Sequence, residues 1–379
     1  MENNHQYIQG IIPPHMAERI LENGSPEQKK KLGNYIRIAG QIRGQRQQLA
    51  EMTRKGLAAA GEHKRLVYDA RNGSGLPGSL VRSEGEAPAG DAATDEAYDG
   101  SGATYDLYKE VFGRDSVDNQ GMDLISTVHY LEGYDNAFWN GEQMVYGDGD
   151  EDLPEQERLF NRFTKVIDII GHELTHGVTQ YEANLVYRDQ PGALNESISD
   201  VFGSLVKQRV KNHTAEQADW LIGEGLFTSN VDAEGIRSMK APGTAYDDPV
   251  LGRDPQPGHM DDYVETSSDN GGVHINSGIP NKAFYNVATE IGGFAWEKAG
   301  AIWYLALCDE LQPTSDFQAA ANATYKVAGT LYGKDSAEQR AVYNGWKAVG
   351  LIPESDSRRG CRGFVSGVWR SIFGSGKTL

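Results

Sequence analysis

The chain has 379 residues, 39% of them hydrophobic, with 54 acidic against 36 basic side chains and a formal net charge of −18. That charge excludes nucleic acid as a partner, because affinity for its backbone rests on neutralising phosphates with lysine and arginine. No apolar run approaches the roughly 20 residues of a membrane-spanning helix, and two cysteines support neither a disulfide framework nor a thiolate metal cluster.

The charge is uneven. Residues 1–55 hold nine Lys/Arg against five Glu, and residues 353–379 hold five basic against two acidic side chains, so the acidity belongs to the body between them. A basic leader beside an acidic body favours docking of one on the other. Within the leader, Pro13-Pro14 stop any helix before them. Leu32, Tyr35, Ile36, Ala39, Ile42 and Leu49 then recur at helical steps with Arg37, Arg43 and Arg46 among them, which predicts an amphipathic basic helix or helix pair. A solvated arm and a prosegment laid over the body both fit. Met1 to Met16 lack the apolar stretch of a secretory signal. Residues 56–62 are small and read as a linker and cleavage zone.

Arg65 to Asp69 reads as a strand, with turn signals at Asn72-Gly73 and Leu76-Pro77-Gly78. Ala87 to Asp95 is expected as loop and Gly102 to Val111 as helix. Leu124–Tyr130 and Gln143–Tyr146 are expected as strands, the second following an Asn140-Gly141 turn. Val166 to Gln180 reads as a buried helix. Beyond Tyr187 the pattern is helical, with candidates at Asn195–Lys211, Ser277–Ile291, Ala295–Leu311, Asp316–Leu331 and Ala337–Val349. A loop rich in Gly, Pro and Asp, Asn230 to Val273, separates the first of these from the rest. Loops of that length are usually functional or ion-stabilised. Cys308 reads as a small core residue. The tail beyond Pro353 carries Phe364, Val368, Trp369 and Phe373 near helical spacing, either a surface-binding appendage or an unstructured remainder.

The buried helix holds the chemistry. His172 and His176 are four residues apart and share one helix face, so two imidazoles can grip one metal ion. Glu173 beside them is placed to take a proton from a metal-bound water. Hydrolytic zinc sites use three protein ligands and keep one position open. Glu196, in Asn195-Glu196-Ser197-Ile198-Ser199-Asp200, is the best third ligand, the alternative being an ordinary exposed acid. Asn195 would cap that helix. Asp200, one turn on, would accept the N–H of a liganding histidine. His274 stands in Asp269-Asn270-Gly271-Gly272-Val273-His274, where Asp269 would raise its pKa and make it a cationic donor. An incidental loop histidine is the other reading.

His172 to His176, Gly192 to Asp200, Asn136 to Asp150 and Asp269 to Ser277 together resemble the thermolysin family of metallopeptidases, over about residues 65–351. The short basic leader with Pro13-Pro14 is similar to the protealysin subgroup. The resemblance implies an α+β, two-lobe fold. Residues 1–55 would be a prosegment, 56–180 a mixed β/α lobe ending in the metal-binding helix, 181–352 a helical lobe and 353–379 a basic tail. It implies zinc held by His172, His176 and Glu196, with Glu173 activating the water. Tyr187 and His274 would stabilise the oxyanion, Asn195 and Asp200 would orient the liganding histidines, and Asp269 would orient His274. Asn136, Ala137, Trp139 and Arg237 would hold an extended peptide. Phe160, Phe163, Ile169, Ile222 and Ile236 would line the pocket after the scissile bond, giving cleavage on the amino side of bulky apolar residues.

Some positions depart from the family. Asp168, Asp219 and Glu224 match its paired calcium site, but Lys207 stands where a bridging glutamate belongs and Leu221 replaces another acid. Calcium binding is thereby weakened, with Lys207 expected as a tethered cation among these carboxylates. An insertion near Glu151 to Arg158 has no evident role. The expectation is a monomeric zinc endopeptidase made as a zymogen, with protein or peptide substrates and its own prosegment as inhibitor. Two alternatives are a catalytically silent binding module on the same fold and a zinc hydrolase of non-peptide bonds. The family implies secretion; without the usual signal, cytoplasmic synthesis followed by non-classical release is the alternative.

Overall fold

The computed structural model describes residues 10–32 and 64–353. The predicted helix through Ile36 to Leu49, the linker at 56–62 and the tail beyond Pro353 lie outside them. The described part of the leader is helical in two places: α1 (Pro14–Asn23), which starts just after Pro13, and a helical stretch over residues 26–32.

The first lobe is a five-stranded sheet built from β1 (Arg65–Asp69), β2 (Ser79–Ser83), β3 (Leu124–Val128), β4 (Ala137–Trp139) and β5 (Met144–Tyr146). Its strand order is β2-β1-β3-β5-β4, which leaves β4 on the edge. The β1–β3 and β3–β5 pairs are parallel, while the β4–β5 pair is an antiparallel hairpin. The Asn140 side chain closes that hairpin by accepting from the amides of Glu142 and Gln143, both at 2.9 Å. β4 carried no strand signal because all three of its residues are buried, so no alternation shows.

Helix α2 (Ala92–Asp106) starts ahead of the expected Gly102 and replaces part of the expected Ala87–Asp95 loop. Asp91 caps it by accepting from the Thr94 amide at 2.8 Å. Its glycines disguised it. They are small for packing reasons, since a Cβ on Gly100 would meet Ile170 at 2.4 Å and one on Gly102 would meet Arg65 at 2.4 Å.

Two long helices form the centre: α3 (Ile167–Tyr181), buried from Asp168 to Thr179, and α4 (Asp189–Lys211). α4 starts at Asp189 rather than Asn195, so Asn195 is an interior helix residue and not a cap. Pro191 falls in the first turn, where no backbone N–H is needed, and it hid the true start. The helices touch where Gly171 faces Gly203. A Cβ on Gly203 would lie 2.4 Å from the Asp168 carbonyl oxygen. Only glycine permits that approach, and it draws the Glu196–Asp200 turn of α4 up to the histidines of α3.

The second lobe continues through α5 (Asp269–Asn276), α6 (Gly278–Ile291), α7 (Lys298–Leu305), α8 (Phe317–Tyr332) and α9 (Ala337–Lys347). α5 was not foreseen. It opens with Asp269, Asn270, Gly271 and Gly272 all at positive φ, a left-handed stretch that Asn and Gly tolerate. The loop before it contains two short ladders, β6 (Leu221–Ile222) with β7 (Arg237–Ser238) and β8 (Asp247–Asp248) with β9 (Gly252–Arg253). Buried carboxylates organise it. Asp254 accepts from the amides of Gly243, Ala245 and Gln256, and Asp248 accepts from those of Asp232, Val250 and Leu251. Half-buried Cys308 packs against the core and is a free cysteine. No helix among the described residues is long and apolar enough to cross a membrane.

Candidate active site

His172 and His176 point their Nε2 atoms at each other, 3.0 Å apart. Each ring is fixed from behind. His172 Nδ1 donates to Asp200 Oδ1 at 2.8 Å, and His176 Nδ1 donates to Asn195 Oδ1 at 2.9 Å, with Ser199 Oγ at 3.1 Å. A proton held on each Nδ1 leaves both Nε2 atoms as lone pairs facing inward. Glu196 spans the pair, with Oε2 3.5 Å from His172 and Oε1 3.4 Å from His176. Its Oε2 is buried and accepts no hydrogen bond. Converging lone pairs without a proton between them suit a cation, and two imidazoles with a carboxylate suit zinc. The ligand-capable atoms of His172, Glu173 and His176 also lie within 4.8 Å of one another. Glu173 differs from Glu196 in its tie, because its Oε2 accepts the Trp139 amide at 2.9 Å.

Tyr187 and His274 flank Glu196. The Tyr187 hydroxyl donates to Glu196 Oε1 and lies 3.3 Å from His274 Nε2. Asp269 grips His274 twice, accepting from its amide at 2.8 Å and from its Nδ1 at 2.7 Å. Burial would lower the His274 pKa, but the Asp269 and Glu196 charges outweigh it and raise it to about 9. Burial likewise opposes ionisation of Glu196, yet the positive surroundings, the His274 charge foremost, hold its carboxyl at about 2. The site therefore keeps an anion facing inward and a cationic donor beside it.

The comparisons agree with this geometry. Family models described as the thermolysin metallopeptidase catalytic domain and its alpha-helical domain match residues 28–180 and 183–351. The chain belongs to the thermolysin family of metallopeptidases. It is 48% identical over 345 residues to an extracellular metalloprotease of Pectobacterium carotovorum, covering 91% of this chain and 96% of that protein. It is 46% identical over 372 residues to the protease PrtS of a Photorhabdus species, covering 94% and 95%. The precursor structure of protealysin from Serratia proteamaculans superposes with a TM-score of 0.80 at 50% identity, covering 91% of this chain and all of that one.

Within this family the chain is a zinc metalloendopeptidase of the protealysin type, with the two-lobe fold. Residues 10–12 run along the edge strand β4. The Ile11 amide donates to the Ala137 carbonyl at 3.2 Å, and the Ile12 amide donates to Asn136 Oδ1 at 3.1 Å. Arg237 Nη1 reaches the Ile11 carbonyl at 3.5 Å. The same guanidinium forms a bidentate pair with Asp200, at 2.8 and 2.7 Å, to which Asn281 adds a donated bond at 2.8 Å. Trp139 contributes its amide to Glu173, and its indole N–H donates to Gln180 at 3.3 Å. Phe160, Phe163, Ile169, Ile222 and Ile236 are all essentially fully buried in the core. Ser199, Asn281 and His15, whose Nε2 lies 2.9 Å from the Tyr246 hydroxyl, were missed. The four-residue step from Asn195 to Ser199 was the one available signal. Asn281 and His15 meet the site only through tertiary contact.

Behind the active site, Lys207 Nζ lies 2.9 Å from Asp168, 2.7 Å from Asp219 and 3.9 Å from Glu224, and donates to the Leu221 carbonyl at 2.6 Å. The insertion at 151–158 meets the leader: Gln28 Nε2 donates to the Glu157 carbonyl at 2.8 Å and Ser25 Oγ to the Glu157 carboxylate at 3.3 Å.

Proposed function

We propose that this zinc endopeptidase is made as a zymogen and cleaves peptide bonds on the amino side of bulky apolar residues. The observation that carries the reading is the hydrogen-bonded run of residues 10–12 along the β4 edge. An extended peptide laid against a free sheet edge is how such clefts bind substrate, and here the leader occupies that edge. The full burial of its apolar pair Ile11-Ile12 against the body supports the preference for bulky apolar side chains.

In this mechanism His172, His176 and Glu196 hold zinc, with Asp200 and Asn195 orienting the two imidazoles. When bound, the metal polarises water and the scissile carbonyl as a Lewis acid. Glu173 accepts the proton of the attacking water and later delivers it to the departing amine nitrogen. The Trp139 amide holds that carboxylate in place. Tyr187 O–H and protonated His274 donate to the carbonyl oxygen as negative charge develops on it. Asn136, the Ala137 carbonyl and Arg237 take the backbone bonds of the substrate that Ile11 and Ile12 take here.

The leader, residues 1–55, would be cut between Ala50 and Glu62. Lys207 would replace calcium as the cation among Asp168, Asp219 and Glu224. The protease would act outside the cell, as its relative named an extracellular metalloprotease does; comparing its abundance and N-terminus in medium and lysate by mass spectrometry tests that. For the zymogen reading, the chain and a Glu173→Ala copy are purified and incubated. The wild type should shorten and then hydrolyse casein and peptides with Leu or Phe after the scissile bond, while the variant stays full length. The same shortened product from both would refute self-processing.

A further inference from the structure

Lys31 of the leader enters a cradle of oxygens on the catalytic body. Its ammonium lies 2.9 Å from Asp150 Oδ1, 2.5 Å from Asp152 Oδ1, 3.1 Å from the Gly149 carbonyl oxygen and 3.8 Å from Asp135 Oδ1. The Lys31, Asp135 and Asp150 side chains are 10%, 8% and 2% exposed. Three carboxylates thus face one ammonium, two of them buried and the third, Asp152, 40% exposed. Asp135 shows the imbalance most clearly, because its Oδ1 is buried, aimed into the cradle and accepts no hydrogen bond. Burial and then the charge of Asp150 push the Asp135 carboxyl well above the usual range, against the pull of Lys31. The cradle is rigid for reasons unrelated to the lysine. Asp150 Oδ2 accepts from the Leu159 and Phe160 amides at 2.8 and 2.9 Å, and Gly149 sits at positive φ against the Asn161 carbonyl.

We propose that Asp135, Asp150, Asp152 and the Gly149 carbonyl form a calcium site that the Lys31 ammonium of the leader keeps closed. Calcium takes six to eight oxygens at roughly 2.3–2.6 Å in flexible geometry. The cradle offers four protein groups around one point, 2.5–3.8 Å from the ammonium now there; calcium would draw them inward, and water can complete the shell. Magnesium, which needs a near-ideal octahedron at about 2.0–2.1 Å, fits this spread poorly. A dication also brings three carboxylates nearer to neutrality than one ammonium does. The site is separate from the Lys207 cluster, whose lysine belongs to the body and does not leave with the leader. Calcium and Lys31 compete for the same oxygens, so calcium weakens the docking of the leader by the same factor that the docked leader weakens calcium. This last consequence rests on the zymogen reading; the site itself does not.

The test uses the full-length, zinc-loaded Glu173→Ala chain, which keeps its leader, against the same chain carrying Lys31→Met. The methionine retains an apolar stem beside Gly133 and removes the charge. Calcium is titrated by calorimetry, with terbium luminescence as a second readout. The parent should take up no calcium at this site at millimolar concentration. The Lys31→Met chain should bind one ion and melt several degrees higher in its presence, and adding Asp152→Asn should weaken that binding at least tenfold. Lys31→Gln serves if the methionine variant does not fold. A Lys31 variant that binds no more calcium than the parent overturns the proposal, as does calcium uptake unaffected by Asp152→Asn. Failure of self-processing in the wild type would leave these results intact and would count against the zymogen reading alone.

Discussion

At the scale of single residues, the site depends on Asp200 more than its position one turn from Glu196 suggests. Its carboxylate holds His172, both arms of Arg237 and the Asn281 amide, and it is fully buried. Burial opposes its ionisation, but the Arg237 charge and the hydrogen bond from His172 keep it far below the ordinary aspartate range. Asp200→Asn keeps the shape and removes the charge that fixes the His172 tautomer and answers Arg237. Losing such an outer partner typically lowers metal affinity or activity about 10–100-fold. A competition titration against a chromophoric chelator should show zinc affinity reduced in that range, with a lower melting temperature because Arg237 is left buried without its counter-ion. Unchanged zinc affinity would show that Asp200 serves folding alone.

At the scale of elements, two ionic clamps join segments far apart in sequence. Lys207, on α4, ties the start of α3 to the loop at Asp219–Glu224. Burial opposes its charge, but Asp168 and Asp219 more than compensate and raise its pKa. Lys207→Ala leaves the fully buried Asp168 without its cation and should cost about 3–5 kcal/mol in urea unfolding. The Glu173→Ala chain, which keeps its leader, should melt at the same temperature after EGTA treatment once free zinc is restored. A large loss would show that calcium, not Lys207, balances these carboxylates. The second clamp is His129, after β3, which pairs with Asp148 at 2.9 Å and with the α2 cap Asp91 at 3.2 Å. The hydrogen bond to Asp148 is the main cause of its raised pKa, about 9 against 6.5. A pKa raised by folding means stabilisation that is complete below the unfolded value and lost as pH rises through the folded one. Wild type should therefore out-melt His129→Gln by a constant margin below pH 6.5, a margin that shrinks up to about pH 9 and then vanishes. A margin independent of pH would mean packing rather than charge.

At the scale of the whole molecule, a basic leader and an acidic body meet at a sheet edge and at the insertion. Ile11 and Ile12 are fully buried there. Ile11→Asp would bury a carboxylate near Arg237, whose charge Asp200 already answers, at a cost of a few kcal/mol, which lowers occupancy of the cleft by more than about tenfold. The full-length variant should begin self-processing correspondingly sooner, followed by gel densitometry. Equal rates for variant and wild type would mean that the Ile11 contact does not hold the cleft shut.

The sequence by itself determined the chemistry and most of the element order. Two histidines at a helical step with a neighbouring glutamate define a metal grip wherever the helix lies, because that geometry is local. Glu196 and Asp200 followed from the same spacing on the next helix, and β1, β3 and the later helices from periodicity. Tertiary structure decided what no local pattern carries. α4 starts before Asn195, and Asn195 turns inward to His176, because Gly171 against Gly203 brings the two helices together. β4 is an edge because five strands order as they do, and its burial erased the alternation that marks a strand. The insertion at 151–158 and Lys31 read as unremarkable polar residues in the chain. Lys31 gains its meaning from Asp135, Asp150 and Asp152, which lie over a hundred positions away and converge on its ammonium, and the insertion gains its own from Ser25 and Gln28, equally remote in the chain.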